Sequence, residues 1–390
     1  MAQAFSERIL VISDIHFGEG DALLTVRDAS DAEGKARVDG LVEWLSDHQP
    51  FKEIILLGDI WELWTATFAE ARVLSDYFLS RLATLDFERM LFLPGNHDHH
   101  LLVQHQVVEQ ILAMRDDRDL EVPERTQRRF EDSHLAQLLP LEARDRFVVS
   151  YPDHFATVGD KHIVFHHGHH TAILHGGRSV FSSGPLFILQ RMEEIGLHEI
   201  TRSDLELAGT IIFELLYAVS LGTRTRAKMN DLWDRFLTVK RYLAALSFSI
   251  LHPIQRWISR TERGTLAQDV ESYDAAVHRI LALAEQEHGQ PLPCDAYVFG
   301  HTHRAGIVHS VDISGRPRLL ANSGTWLHEP AKANTASEGT FLIIDPAHVA
   351  LYRQGDDLSI RPLDIERWPE PEAEQLTSGF PLGKGDKVSR

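Results

Sequence analysis

Cysteine is almost missing from this 390-residue chain: Cys294 stands alone, so no intrachain disulfide can form and a reducing compartment is permitted. Positive charge is also scarce, with 39 Lys and Arg against 57 Asp and Glu and a formal net charge of −18. A surface of that average sign repels a phosphate backbone, which disfavours nucleic acid as a partner and argues against a DNA nuclease. An anionic substrate must then meet a local reversal of sign, supplied most compactly by metal ions. Long apolar runs are lacking as well. The longest, LAGTIIFELLYAVSLG at 207–222, is interrupted by Glu214 and falls short of the ~20 residues a membrane-spanning helix needs. The opening MAQAFSERILVIS carries no apolar stretch followed by a small-residue cleavage site, so a cytoplasmic protein is expected.

What is present reads as a soluble globular chain, 43% apolar and 25% charged. Short β-rich runs recur: RILVIS (8–13), EIILL (53–57), MLFL (90–93), HIVF (162–165), AYVF (296–299) and RLLANS (318–323). Between them lie helical patterns, such as Val38, Leu41, Val42 and Leu45 at the spacing of one buried helical face. Strand, helix, strand predicts an α/β sheet, whose sites form beyond the carboxyl ends of the strands. Residues 178–263 break this rhythm with long amphipathic stretches and divide the core into 1–177 and 264–366. This expected helical insertion, a lid or cap, holds 12 Lys and Arg against nine Asp and Glu. Its Arg224, Arg226 and Lys228 suit contact with an anionic, partly apolar substrate or a membrane surface, and equally a solvated hairpin or a dimer contact. Residues 367–390, rich in Pro, Gly and charge, are expected to be a flexible tail.

Five polar clusters follow successive strands: SDIH (13–16), GDIWELW (58–64), GNHD (95–98), HHGHH (166–170) and GHTHR (300–304). Any one of them could be helix caps and turn residues. Together they predict a two-metal site of converging His and Asp side chains. On an extended segment the i and i+2 side chains of D-x-H and H-x-H share a face. Asp59, after Gly58, is the natural carboxylate to bridge two ions. Trp61 and Trp64 fit a helix face packed on the sheet better than substrate stacking, and Glu62 suits a supporting position behind the ligands.

The series D-x-H, G-D, G-N-H-D, H-G-H and G-H-x-H, in this order, resembles the calcineurin-like metallophosphoesterase superfamily. The resemblance implies a four-layer αββα sandwich of two mixed β-sheets with two divalent ions at the strand ends. It places Asp14, His16 and His303 on the first ion, Asn96, His167 and His301 on the second, and Asp59 between them. His97 would serve the leaving group as an acid, with Asp98 fixing its ring. Within HHGHH the family spacing selects His167, while His166 and His169 compete; His99, His100 and His170 are expected to be solvated or supporting neighbours. The implied reaction is in-line attack on phosphorus by a hydroxide shared between the ions, with no protein nucleophile. A mixed Asp, Asn and His donor set suits Mn, Fe or Zn, with Mn²⁺ favoured.

Among branches, GDIWELW, GHTHR and the insertion look like UDP-2,3-diacylglucosamine pyrophosphatase, with Arg304 and Asn96 as phosphate-binding residues. His97 stands where that branch commonly has Arg, and this chain is longer. Rival readings are a broad phosphodiesterase or nucleotidase, a protein phosphatase, a mononuclear zinc hydrolase, and a scaffold that has lost catalysis; the last predicts eroded ligands, and none is missing.

Overall fold

The computed structural model describes residues 7–115, 128–131, 133–174, 200–221, 270–328 and 335–369. Thirteen strands run through them: β1 (Ile9–Ile12), β2 (Phe51–Leu56), β3 (Phe87–Phe92), β4 (Arg128–Phe130), β5 (Phe147–Tyr151), β6 (Asp153–Val158), β7 (Lys161–His166), β8 (Ala296–Phe299), β9 (Gly306–Val311), β10 (Pro317–Asn322), β11 (Thr340–Ile344), β12 (His348–Gln354) and β13 (Ile360–Arg367). The helices are α1 (Ala32–Ser46), α2 (Phe68–Leu82), α3 (His99–Arg115), α4 (His169–Leu174), α5 (Arg202–Ser220) and α6 (Val270–His288).

Strand β1 shows how the layers arise. Its four residues are all buried, but alternate side chains face opposite ways. Leu10 and Ile12 join a core with Val38, Leu41 and Leu45 of α1 and Phe78 and Leu79 of α2. Ile9 and Val11 join another with Phe165 of β7, Val298 of β8 and Leu319 of β10. A third core sets Tyr297 and Phe299 of β8 against Leu205 of α5 and Val277 of α6. Helices, sheet, sheet and helices thus stack in four layers, the expected αββα sandwich. Among the described strands, one sheet has the order β13-β12-β11-β1-β2-β3-β5-β4 and the other β6-β7-β8-β10-β9.

Both sheets mix parallel and antiparallel pairs. β1, β2, β3 and β5 run parallel, as do β7, β8 and β10. Their carboxyl ends carry all five polar clusters. Helix α1 buries the predicted face of Val38, Leu41, Val42 and Leu45, and starts at an Asp31 cap that accepts from the Gly34 N–H. The β11–β13 meander extends the first sheet beyond what the strand signals announced. Of the predicted insertion, only the part at 200–221 lies among the described residues; Arg224, Arg226 and Lys228 lie outside them. The tail expected from 367 begins later, because Arg367 ends β13 and Trp368 is buried; from residue 370 it lies outside the described residues. Among the described residues no helix is long and apolar enough to cross a membrane.

Candidate metal centre

The loops after β1, β2, β3, β7 and β8 converge. Asp14, His16 and His303 bring ligand atoms within 4.8 Å of one another, and so do Asp59, His167 and His301, and His16, Asp59 and His97. Asp59 therefore stands between both halves of the site. Asn96 joins the second half, its Oδ1 lying 3.2 Å from His167 Nε2.

The backbone route to this convergence is not the expected one. Asp14 and His16 lie past the end of β1 with φ of 52° and 56°, Asp59 has 52°, and His301 and His303 have 65° and 55°. Left-handed backbone is costly for side chains with a Cβ. Among the described residues the only other non-glycine with positive φ is Leu358. The pleat of an extended segment, which was expected to aim D-x-H and H-x-H, is thus replaced by successive left-handed kinks. Loop-to-loop hydrogen bonds hold them: Asp14 N–H to Gly58 O at 3.0 Å and His16 N–H to Asp59 O at 2.9 Å.

The donor chemistry fits cations. His167 Nδ1 lies 2.8 Å from the Leu57 carbonyl, which can only accept, so Nδ1–H is spent there. Its Nε2 faces Asp59 Oδ2 at 3.0 Å and the Asn96 oxygen. His16 likewise donates Nδ1–H to Glu62 Oε2 at 3.1 Å, turning Nε2 toward His303 Nε2 at 3.2 Å. The latter atom lies 3.3 Å from Asp14 Oδ1. Lone pairs facing lone pairs in a buried cradle call for positive charge in their midst. Burial would lower the His167 ring, but Asp59 raises it to about 9. Burial would raise Asp59, yet His167 and His97 hold it well below the usual carboxylate range. His301 goes the other way, pushed to about 3 by burial and by His167.

Hydrogen bonds set the other histidines of HHGHH apart from His167. His166 Nδ1 accepts the Gly168 N–H at 2.8 Å, so its proton sits on Nε2, which faces His170 Nδ1 at 3.2 Å. His170 Nε2 then faces Glu206 Oε2 at 3.3 Å. His169 Nε2 pairs with the Tyr151 hydroxyl at 3.2 Å, and that hydroxyl donates to Glu206 at 2.6 Å. Burial and neighbouring rings hold His166 and His169 well below the ordinary histidine value, hence neutral. Although His166, His169 and His170 lie within mutual ligand reach, they form a hydrogen-bond chain around Glu206. His169 Nδ1 and His170 Nε2 have no hydrogen-bond partner, the latter facing Glu206 as an ion-pair contact.

Three expectations are corrected. Asp98 does not fix the His97 ring: its carboxylate accepts from the N–H groups of Gly95 (2.6 Å), Ile60 (2.8 Å) and Trp61 (3.3 Å), tying the GNHD loop to the GDIW loop. Burial and the Asp59 charge push Asp98 up to about 7. The His97 ring is instead paired through Nδ1 with Glu62 Oε2, 2.5 Å away. Opposed by burial, Glu62 and Asp59 still raise His97 to about 9. Trp61 and Trp64 are not on a helix face, because α2 starts only at Phe68. Trp61 donates its indole N–H to Ser75 at 3.0 Å, whereas Trp64 stacks on His97 with centroids 3.8 Å apart. Of the two roles expected for His99, His100 and His170, the solvated one falls away for His99 and His170, which are buried, while His100 is partly exposed; His99 meets Glu206 and Glu214 of α5, and His100 meets Glu214. Those two glutamates and Tyr151 had no motif to announce them. Arg304 follows His303 on the loop into β9, partly exposed.

The family profile described as Calcineurin-like phosphoesterase matches residues 7–305. No curated protein matches the chain significantly. Among solved structures, an uncharacterized Streptococcus pneumoniae protein described as a predicted phosphoesterase shares 10% identity, covering 92% of this chain and 95% of its own at a TM-score of 0.28. A 5'-nucleotidase precursor from Thermus thermophilus shares 10% identity over 93% of this chain and 54% of its own, at a TM-score of 0.31. Neither likeness is close enough to inform on substrate. The profile match spans most of the chain and every polar cluster at the converging strand ends, and the chain belongs to the calcineurin-like phosphoesterase family of metal-dependent phosphoric ester hydrolases.

Proposed function

We propose that the protein hydrolyses a phosphoester at a dinuclear centre held by Asp14, His16 and His303 on one side and Asn96, His167 and His301 on the other, with Asp59 shared. The observation that carries this reading is the position of Asp59, within ligand reach of both histidine groups. Two divalent cations, Mn²⁺ favoured, would supply an activated water and neutralise phosphoryl oxygens. The chain's own residues do the rest. Asn96 and Arg304 bind the phosphoryl group. His97, protonated near neutral pH and held by Glu62, delivers a proton to the departing oxygen from Nε2, a role typically worth ~10²–10⁴-fold. The Trp64 indole excludes water from one face of that ring.

The finer reading is a lipid-linked or nucleotide pyrophosphate of the UDP-2,3-diacylglucosamine type, with peripheral membrane contact through 178–263. Its support is the apolar wall beside the acid, where Phe213 of α5, 2% exposed, lies 6.3 Å from Trp64. An Mn²⁺-supplemented screen over phosphomonoesters, phosphodiesters and nucleotide-lipid pyrophosphates tests both levels. Hydrolysis of none defeats the reaction class; turnover of monoesters alone defeats the pyrophosphate reading.

A further inference from the structure

Glu62 belongs to neither donor set, yet both the first set and the acid lean on it. It is 1% exposed. Oε1 accepts the N–H groups of Trp64 at 2.8 Å and Thr65 at 3.1 Å, closing the turn after β2. Oε2 faces Nδ1 of His16 at 3.1 Å and Nδ1 of His97 at 2.5 Å. The two rings stand edge to face, centroids 4.7 Å apart, around that single oxygen. A carboxylate only accepts, so the hydrogen-bonded Nδ1 of His16 carries a hydrogen, and the ion-pair contact of His97 Nδ1 with the same oxygen favours a hydrogen there too. His16 is thereby left with Nε2 toward His303 and Asp14, and His97 with Nε2 at the opposite end of its ring. The same carboxylate holds the amide of Trp64, whose indole covers the face of His97.

We propose that Glu62 is a positioning residue that sets the ring orientation and tautomer of His16 and His97 together, so that loading of the Asp14–His16–His303 site and the aim of the leaving-group acid depend on one carboxylate. The inference rests on the dinuclear reading above. The bland alternative is that Glu62 only closes the turn at 62–65, and Gln separates the two. Its carbonyl still accepts from Trp64 and Thr65, but its NH₂ then faces both rings. Each Nδ1 must become an acceptor, which moves the His16 proton to Nε2, into the donor set, and leaves His97 a neutral ring with its one proton on Nε2. A carboxylate behind a metal-ligating histidine typically accounts for ~10–100-fold in metal affinity.

The test uses the full chain. In wild-type protein free of divalent ions, ¹⁵N-histidine NMR, assigned with His16→Asn and His97→Asn, is expected to find a proton on Nδ1 of both rings. A bare Nδ1 in either ring overturns the proposal, whatever any Glu62 variant does. In Glu62→Gln, calorimetric titration with Mn²⁺ should show one of two equivalents weakened ~10–100-fold. Wild-type affinity for both ions in a folded Glu62→Gln protein also overturns it. A wild-type protein that binds two ions but cleaves no phosphoester would defeat the proposed reaction and leave these proton and affinity measurements to judge Glu62.

Discussion

Gly95→Ala puts the geometry of the centre under direct load. Gly95 does not use positive φ, so alanine meets no backbone penalty; the obstacle is space. An added Cβ would collide with Asp59 Oδ1, come 2.6 Å from the Asp59 nitrogen and lie 2.8 Å from His167 Nε2. Ordinary contact begins at 3.4 Å, so the neighbours must give by about 0.8 Å (3.4 − 2.6) at the amide and 0.6 Å (3.4 − 2.8) at the ring. The amide side is stiff, because the Asp59 loop is bonded to the Asp14 loop through Gly58 O and Asp59 O. The cost therefore falls on the Asp59 carboxylate and the His167 ring. Overpacking of this kind costs ~1–3 kcal/mol in stability, and at ~2–4 °C per kcal/mol the melting temperature should fall by no more than ~12 °C. Misplacement by ~1 Å costs on the order of 10²-fold in rate. The expected outcome is a folded protein that keeps at most one tightly held ion after dialysis, by elemental analysis, and loses at least ~100-fold in phosphoester turnover. A Gly95→Ala protein with wild-type metal content and rate would refute the placement of Asp59 and His167 at a shared centre.

Asp59→Ala removes the shared carboxylate and should abolish binding of both ions together with turnover; more than a few per cent of residual activity counts against the bridge. His97→Ala should leave metal content intact and slow hydrolysis ~10²–10⁴-fold for poor leaving groups, with little effect on good ones; equal slowing of both contradicts the acid role. Stability should also depend on pH through α5. Burial opposes the charged ring of His99, but Glu206 and Glu214 raise it from 6.5 to about 9. The contribution of this raised group is complete below about pH 6.5 and is lost as pH climbs through 9, a loss of about 3 kcal/mol at ~1.36 kcal/mol per pH unit. Glu214, raised by burial but held down to about 2 by His100 and His99, contributes above about pH 4.5 and fades toward 2. Thermal melts should therefore fall between pH 6 and 9.5, and a His99→Gln variant should flatten that fall; an unchanged slope in the variant removes His99 from the account.

The strand runs and the five polar clusters were legible because each is local. A short β-rich run ending in Asp, His or Asn states its own chemistry, and the order of the clusters restricts the family. His167 could not be separated from His166 and His169 in the same way. The choice depends on the Leu57 carbonyl and the Gly168 amide, and the first of these comes from a loop 110 residues away in sequence. Asp98 was misread for a related reason. The family resemblance implied a pair with His97, but a buried carboxylate goes to whichever N–H groups would otherwise be unsatisfied, and packing of the GDIW loop against the GNHD loop supplies three of them.

Composition and motif order alone thus determined an acidic α/β chain with cation-binding clusters at its strand ends. Tertiary structure alone decided which lone pair points where: the left-handed kinks at Asp14, His16, Asp59, His301 and His303, the sharing of Glu62 between two rings, and the docking of Glu206 and Glu214 against the histidine loops. The physical reason is one of range. Residue type and spacing record what a side chain can donate or accept, whereas its partner is fixed only when two sheets and α5 close around it.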